Sequence, residues 1–409
     1  MKVLSSIYIF SLLLIVNIPN WQLIDAKASH WFLLGLFNFL FISYISFFYK
    51  INSYKFLRDK IFLSFLALFL ISCLSVVSAM NPLESLMKLT DLFSILSSLM
   101  IIMFLVYNNF INSRIILSLV LLSLTVDLVL ASIQYYTIIT RVDFIAEYSN
   151  MVRGLYGNKN IASIAILMKL PLCVILTEIS NSKVIKYYTF SILILSFYLL
   201  FLLSSRTAFL ALIITLLFII VCFVVKKFYY KQRVLRDLIK IQQFIIPLFI
   251  GFAVFRVTVN QDIISVEDRM STAINYEEDE SATNRLRFWS GALDQFTKTP
   301  LLGCGIGNWR IVSIKYDTDD MYSYVVPFFA HNDLIEILAE TGIFGFLAYL
   351  SFFFFIFQIN LSQLIMWMKT KSSYIPIMFA IVFITYFADV NLNFPMDRPV
   401  NQIIVLVYI

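Results

Sequence analysis

The sequence predicts an all-α, polytopic membrane protein of about twelve transmembrane helices, with a cytoplasmic N-terminus and one large periplasmic loop containing short helices. Composition comes first: 60% of residues are hydrophobic and only 14% charged, against roughly 25% charged in soluble domains. Apolar runs then recur from end to end, most of them long enough to cross about 30 Å of hydrocarbon. Finally, lysines and arginines between the runs fall in alternate loops, all on one side, as the positive-inside rule requires.

The runs lie near 3–19, 31–49, 61–79, 89–107, 115–137, 161–178, 187–203, 206–225, 243–258, 342–359, 376–394 and 400–409. The first resembles a signal peptide, but Ala26-Lys27-Ala28 sits too far beyond its apolar part for cleavage, so it reads as an uncleaved helix. Lys50, Lys55, Arg58 and Lys60 follow the second run, Lys183 and Lys186 the sixth, Lys226 to Lys240 the eighth, and Lys369 and Lys371 the tenth. These are all exits of even-numbered runs, which places the N-terminus inside. The last run is short of a full crossing. The units expected are residues 1–256 with nine spans, a loop at 257–333, and residues 334–409 with three more.

The loops at 141–160 and 257–333 and the hairpin at Arg206 then lie outside, where no ATP is available. Chemistry on that side needs a pre-activated substrate. The net charge of +6 is spread among loops, which gives no footprint for nucleic acid. Four cysteines and two histidines, far apart, leave neither a disulfide framework nor a metal cluster.

Within the long loop, 262–284 is polar and acidic, with a run at 277–280 that reads as solvated rather than metal-binding. Asn284 to Thr299 has the period of an amphipathic helix, with Leu286, Trp289, Leu293 and Phe296 on one stripe. Pro300 and the glycines of 303–307 end it. That glycine-rich turn lacks the Lys-Ser/Thr of a phosphate loop, and it reads as a place where chain segments pass closely. A second helix begins near His331 and stops near Gly342.

Few residues here could carry chemistry. Arg206 sits in a tight Ser-Ser-Arg-Thr-Ala hairpin. Alone it reads as a snorkelling arginine, yet a guanidinium fork at a membrane surface also suits phosphate oxygens. Arg285 and Arg287 lie on the loop helix, either as a solvated face or as a second clamp, and Trp289 shares a face with Arg285. His331 opens the second helix, where a neutral imidazole can serve as a general base, with Asp333 or Glu336 as candidates to orient it. Asp127 and Lys169 are charges inside spans and read as partners that neutralise each other.

These residues resemble those of the O-antigen ligase and polymerase superfamily. His331-Asn332 followed by Gly342 and Gly345 is similar to its His-Asn and Gly-x-x-Gly signature. Residues 300–305 are similar to its Pro-Leu-x-Gly-x-Gly turn, and Arg285 with Trp289 to its Arg-x-x-x-Trp element. Residues 205–208 resemble its Ser-Arg-x-Ala hairpin and 157–160 its Gly-Asn-x-Asn element. The motif-bearing part runs from about 150 to 345.

The resemblance implies a glycosyltransferase of the bacterial inner membrane. Its donor would be an undecaprenyl-diphosphate-linked glycan and its acceptor a hydroxyl of lipid A core, a growing glycan or a protein. No metal or other cofactor is expected. By position, Arg206, Arg285 and His331 become the catalytic residues, with Arg287, Trp289, Asn332, Arg153 and Asn160 as substrate-binding residues. Arg287 beside Arg285 leaves the clamp open to a shift of two residues. Within this chemistry the chain reads as a ligase, with a polymerase or protein oligosaccharyltransferase as alternatives. A transporter of lipid-linked glycans is the alternative from another class.

Overall fold

The computed structural model describes residues 1–18, 27–49, 55–141, 156–258, 280–317, 328–370 and 373–409. Among these the chain is helical and holds no strand. Among the described residues ten helices are long and apolar enough to cross a membrane: α2 (Ala28–Phe48), α3 (Lys60–Ser75, continued by a 3-10 turn to Ser78), α4 (Pro82–Tyr107), α5 (Ser113–Arg141), α6 (Lys159–Ile179), α7 (Lys183–Leu203), α8 (Arg206–Val224), α9 (Leu235–Thr258), α13 (Asp333–Lys369) and α14 (Ile375–Leu392). Two shorter apolar helices, α1 (Lys2–Leu14) and α15 (Pro399–Tyr408), flank them in sequence. Between α9 and α13 lie α10 (Glu280–Lys298), α11 (Trp309–Val312) and α12 (Ile314–Asp317).

Large apolar side chains such as Phe47, Val77, Tyr136, Phe228 and Val257 stand exposed around the outside. In water so much apolar surface would drive association; on a multi-pass membrane protein it is the lipid-facing wall. The interior is organised around α6, almost all of whose apolar stretch is buried. It packs on α5, α7, α14, α8 and α15. Such a post tolerates a charge only with a partner, and Lys169 Nζ meets Asp127 Oδ2 at 2.5 Å and Ser123 Oγ at 2.9 Å. Asp127 also accepts from Asn17 and Tyr156. The expected mutual neutralisation is therefore present.

Helix ends follow local chemistry. Asn81 caps α4 and Pro82 fills its first turn, so this helix starts seven residues ahead of the apolar run that marks it in the sequence. Ser204, at φ 48°, turns the chain out of α7, and the Ser205 side chain accepts from the Ala208 N–H to start α8. Asn158 caps α6 after Gly157, which adopts φ 71°. Bonds of Glu178 to Lys240 and Ser373 gather the C-terminus of α6, the start of α9 and the start of α14 at one end of the bundle. The N-termini of α6 and α8 and the C-terminus of α14 lie at the other end.

Candidate active site

The site residues described here sit at that second end. There the chain from Pro300 to Asn308 wedges between α13 and the tops of α3 and α4. Cys304 and Gly305 donate their N–H groups to the carbonyls of Ala339 and Glu340, and Ile343 donates to Pro300. Ile306 N–H reaches Ser75 Oγ at 3.0 Å, while Asn308 bonds both Asn81 and Ser85. A Cβ on Gly305 would lie 2.6 Å from Ala79, so the glycine is needed for close passage. The turn accordingly joins helices, as its sequence predicts. Burial pushes the Cys304 thiol well above its ordinary range, which leaves it a packing residue.

The loop helix α10 packs on this wedge, but on a different stripe from the one its periodicity suggests. Phe288, Ala292 and Gln295 are buried, while Leu286 and Leu293 remain exposed. Small side chains decide this: a Cβ on Gly291 would come within 2.8 Å of Tyr316, so α10 approaches through Gly291 and Ala292. Trp289 stays at the contact, and its Nε1 donates to the carbonyl of Ala330 at 2.8 Å. The N–H of the same residue donates to Glu336 Oε2 at 2.7 Å. Ala330 is thus held from both sides immediately ahead of His331.

His331 has φ 56°, a left-handed conformation uncommon outside glycine. The next residue, Asn332, is extended and caps α13 by accepting from the Ile335 N–H at 3.2 Å. Together the two residues turn the chain sharply into the helix and aim the imidazole away from it, edge-on to Phe394 at 5.1 Å. Buried Nδ1 of His331 has no hydrogen-bond partner among the described residues. Burial and the nearby Arg285 guanidinium push its pKa down to about 4, so it is neutral at pH 7. That coupling brings together a loop-helix arginine and a histidine 46 positions away in sequence.

Neither acidic neighbour orients the ring, contrary to the sequence expectation. Asp333 accepts from the Met396 N–H and Glu336 from the Ala330 N–H, so both carboxylates fix backbone instead. Arg287 lies 5.6 Å from the Phe288 ring on α10, two positions from Arg285. Arg206 stands half-buried at the start of α8, whose neighbour α14 leads into Phe394. The preceding Ser205 bonds Asn160 Oδ1 at 2.9 Å, joining two of the sequence motifs. Arg153 lies outside the described residues, as do 277–279 of the acidic run.

One part of the site escaped the sequence reading. The short segment between α14 and α15 closes it from the side: Phe394 stacks on Phe329 at 4.2 Å, Arg398 lies over Phe394 at 5.0 Å, and Asp397 pairs with Lys88 of α4. Burial opposes ionisation of Asp397, yet Lys88, Lys27 and Arg310 hold its carboxyl down at about 2. The available signal was Asp-Arg-Pro between two apolar runs, a charged pair at a span boundary. Among the described residues no group of three or more His, Cys, Asp or Glu side chains is arranged to hold a metal ion.

A bundle of this kind, with a half-buried neutral imidazole and arginines gathered at one end, defines a polytopic membrane protein with an enzyme-like polar site. Residues 191–350 match the model of the O-antigen ligase family. The match supports a membrane glycosyltransferase-like enzyme of the O-antigen ligase and polymerase type, and the matched stretch includes Arg206, Arg285 and His331. No curated protein matches the chain.

Proposed function

We propose that the protein transfers a glycan from an undecaprenyl-diphosphate carrier to an acceptor hydroxyl at the periplasmic face of the bacterial inner membrane, as an O-antigen ligase does. His331 is the base, and Arg206 and Arg285 hold the diphosphate. The observation that carries the reading is the neutral, half-buried imidazole under the influence of Arg285, inside the matched stretch.

In this reaction the acceptor oxygen attacks the anomeric carbon while the bond from that carbon to the phosphate oxygen breaks. The electron pair leaves on the diphosphate and the hydroxyl proton passes to the imidazole. A single displacement inverts the anomeric centre. Guanidinium groups aimed at the leaving oxygens stabilise the charge that develops there, an effect worth about 3–4 kcal/mol per preorganised donor. Base catalysis by a positioned histidine contributes about 10²–10⁴-fold. Protein groups then suffice, without metal or nucleotide.

The low proton affinity of His331 fits a fixed order of events. Before the donor arrives, burial and Arg285 keep the ring unprotonated. A diphosphate on Arg285 neutralises that repulsive field and raises the basicity of the ring when a proton must be taken. Arg287, Trp289, Asn332, Arg153 and Asn160 frame the substrate in this scheme, and Trp289 and Asn332 also build the turn. Residues 257–333 form the periplasmic loop, between nine N-terminal and three C-terminal membrane helices.

The test is a transfer assay on purified protein in nanodiscs, with lipid-diphosphate-linked glycan, candidate acceptors, EDTA and no nucleotide. Transfer by the wild type that is lost in His331→Ala is the expected result. Movement of the lipid across the bilayer with no transfer to any acceptor would overturn the proposal in favour of a transporter.

A further inference from the structure

The hairpin formed by α14 and α15 holds a buried carboxylate that meets no lysine. Asp389, in the last turn of α14, is fully buried. Its Oδ1 accepts from Asn393 Nδ2 at 2.7 Å and its Oδ2 from Asn401 Nδ2 at 2.6 Å. Asp127, Asp237 and Asp397 are buried too, and each of them pairs with a lysine. Asp389 forms no salt bridge among the described residues. Arg398, whose field reaches it, lies over the ring of Phe394 at 5.0 Å. Two neutral amides therefore surround a group whose charge is costly at this depth.

Oxygens beside it are unsatisfied as well. Asn401 Oδ1 and Thr385 Oγ1 are fully buried and have no hydrogen-bond partner among the described residues. The Asn401 amide already faces Asp389 through its nitrogen, and a half-turn exchanges that nitrogen for the oxygen. Thr385 precedes Asp389 by one helical turn, which puts both on one face of α14. Its hydroxyl can turn its proton away and offer a lone pair. Buried polar atoms are almost always bonded, so two orphan oxygens beside a carboxylate call for a positive partner. The C-terminus of α14 adds partial negative charge at the same place.

We propose that Asp389, Asn401 and Thr385 bind a monovalent alkali cation, sodium or one of like size, inside the α14–α15 hairpin. This set carries one full negative charge, which balances a single positive charge and leaves a divalent ion uncompensated. Oxygen side chains beside a helix C-terminus hold sodium in other membrane proteins by the same electrostatics. The role is structural, with no part in bond breaking. The ion ties α14 to α15 and fixes the link 393–398, which carries Phe394 against the His331 ring at 5.1 Å.

Equilibrium binding of radioactive sodium to the purified full-length protein in detergent tests the site, with choline as the inert cation at constant ionic strength. Asp389→Asn removes the charge. Thr385→Val keeps the shape of the side chain and deletes a hydroxyl that has no partner, so it should fold at least as well as the wild type. Thermal melts in choline check that both variants are folded. The expected result is saturable binding that unlabelled sodium displaces and choline does not, weakened about tenfold in Thr385→Val and lost in Asp389→Asn. An absence of saturable binding overturns the site, and it is the result if Asp389 simply carries a proton or the oxygens hold a water. Binding that Thr385→Val leaves unchanged overturns it too. Because the readout is binding, a negative result leaves the glycan-transfer reading standing, and a failed transfer assay leaves the cation site standing.

Discussion

Gly303 and Gly342 each face the backbone just ahead of the other. A Cβ on Gly303 would lie 2.2 Å from the carbonyl carbon of Glu340, and one on Gly342 would lie 2.3 Å from that of Leu301. Both glycines are left-handed, at φ 67° and 66°. The wedge before α11 and the break in α13 are therefore two halves of one joint, and each half requires the other to lack a side chain. The Pro-Leu-x-Gly turn and the glycine after the His-Asn pair look like separate motifs in the sequence but are one contact in the fold.

Replacing either glycine should accordingly destabilise the site. Gly303→Ala and Gly342→Ala each incur about 1–2 kcal/mol from the left-handed backbone alone, plus the displacement of the facing carbonyl. Thermal melts of detergent-purified protein should show a lower midpoint for each single variant. The double variant should lose less than the sum, since both break one joint. Wild-type melting in either single variant would refute the reciprocal packing.

Transfer should fail with the residues that bear charge. Arg206→Ala and Arg285→Ala are expected to lower kcat by about 10²–10³-fold, the cost of one lost transition-state donor. Arg287→Ala should cost far less if Arg285 is the clamp. A larger loss at Arg287 than at Arg285 would shift the clamp by two residues.

The pH profile reports on His331. A base must be neutral, so activity falls as pH drops through its pKa. In the free protein that pKa is depressed to about 4, so the acidic limb of kcat/KM should lie well below the ordinary histidine value of about 6.5. Arg285 contributes to the depression, so the limb should move to higher pH in Arg285→Gln, measured on whatever activity remains. The limb of kcat should also lie above that of kcat/KM, because bound diphosphate offsets the guanidinium. A limb unmoved by Arg285→Gln would show that the two groups do not communicate.

The intramembrane pair makes a different prediction. Asp127→Asn leaves the buried Lys169 without its counter-charge and should cost about 3–5 kcal/mol, while Asp127→Leu with Lys169→Met should cost less, because it leaves only the neutral donors of Asn17 and Tyr156 without their acceptor. A glycan transferase should keep its activity in the folded double variant. Loss of activity with retained stability would give the pair a role in substrate movement and revive the transporter alternative.

The sequence exposes most of the bundle, because hydrocarbon thickness and the placement of lysine leave a strong periodic record. It also marks the turn at His331, where Asn332 is a recognisable cap. What it conceals is long-range pairing. Nothing local in Asp397 announces Lys88, and nothing in Trp289 announces the carbonyl of Ala330. The buried stripe of α10 differs from the periodic one for a related reason: Gly291 and Ala292 pack by being small, which a hydrophobic period overlooks. Carboxylates beside a histidine suggest an orienting role, yet Asp333 and Glu336 are occupied by backbone N–H groups that no pattern reveals.

The break at Gly342 also separates two mechanical regimes. Residues 333–341 are tied to Ala330, Trp309 and Met396 by their own carboxylates, whereas 343–369 lean on α3 and α14 within the membrane. A span accommodates a thicker or thinner bilayer by tilting, and a continuous rod would carry that tilt to its tip. Because the rod is interrupted at Gly342, its lower part can follow the lipid while the histidine turn keeps its aim, so the geometry of that turn is insulated from bilayer thickness.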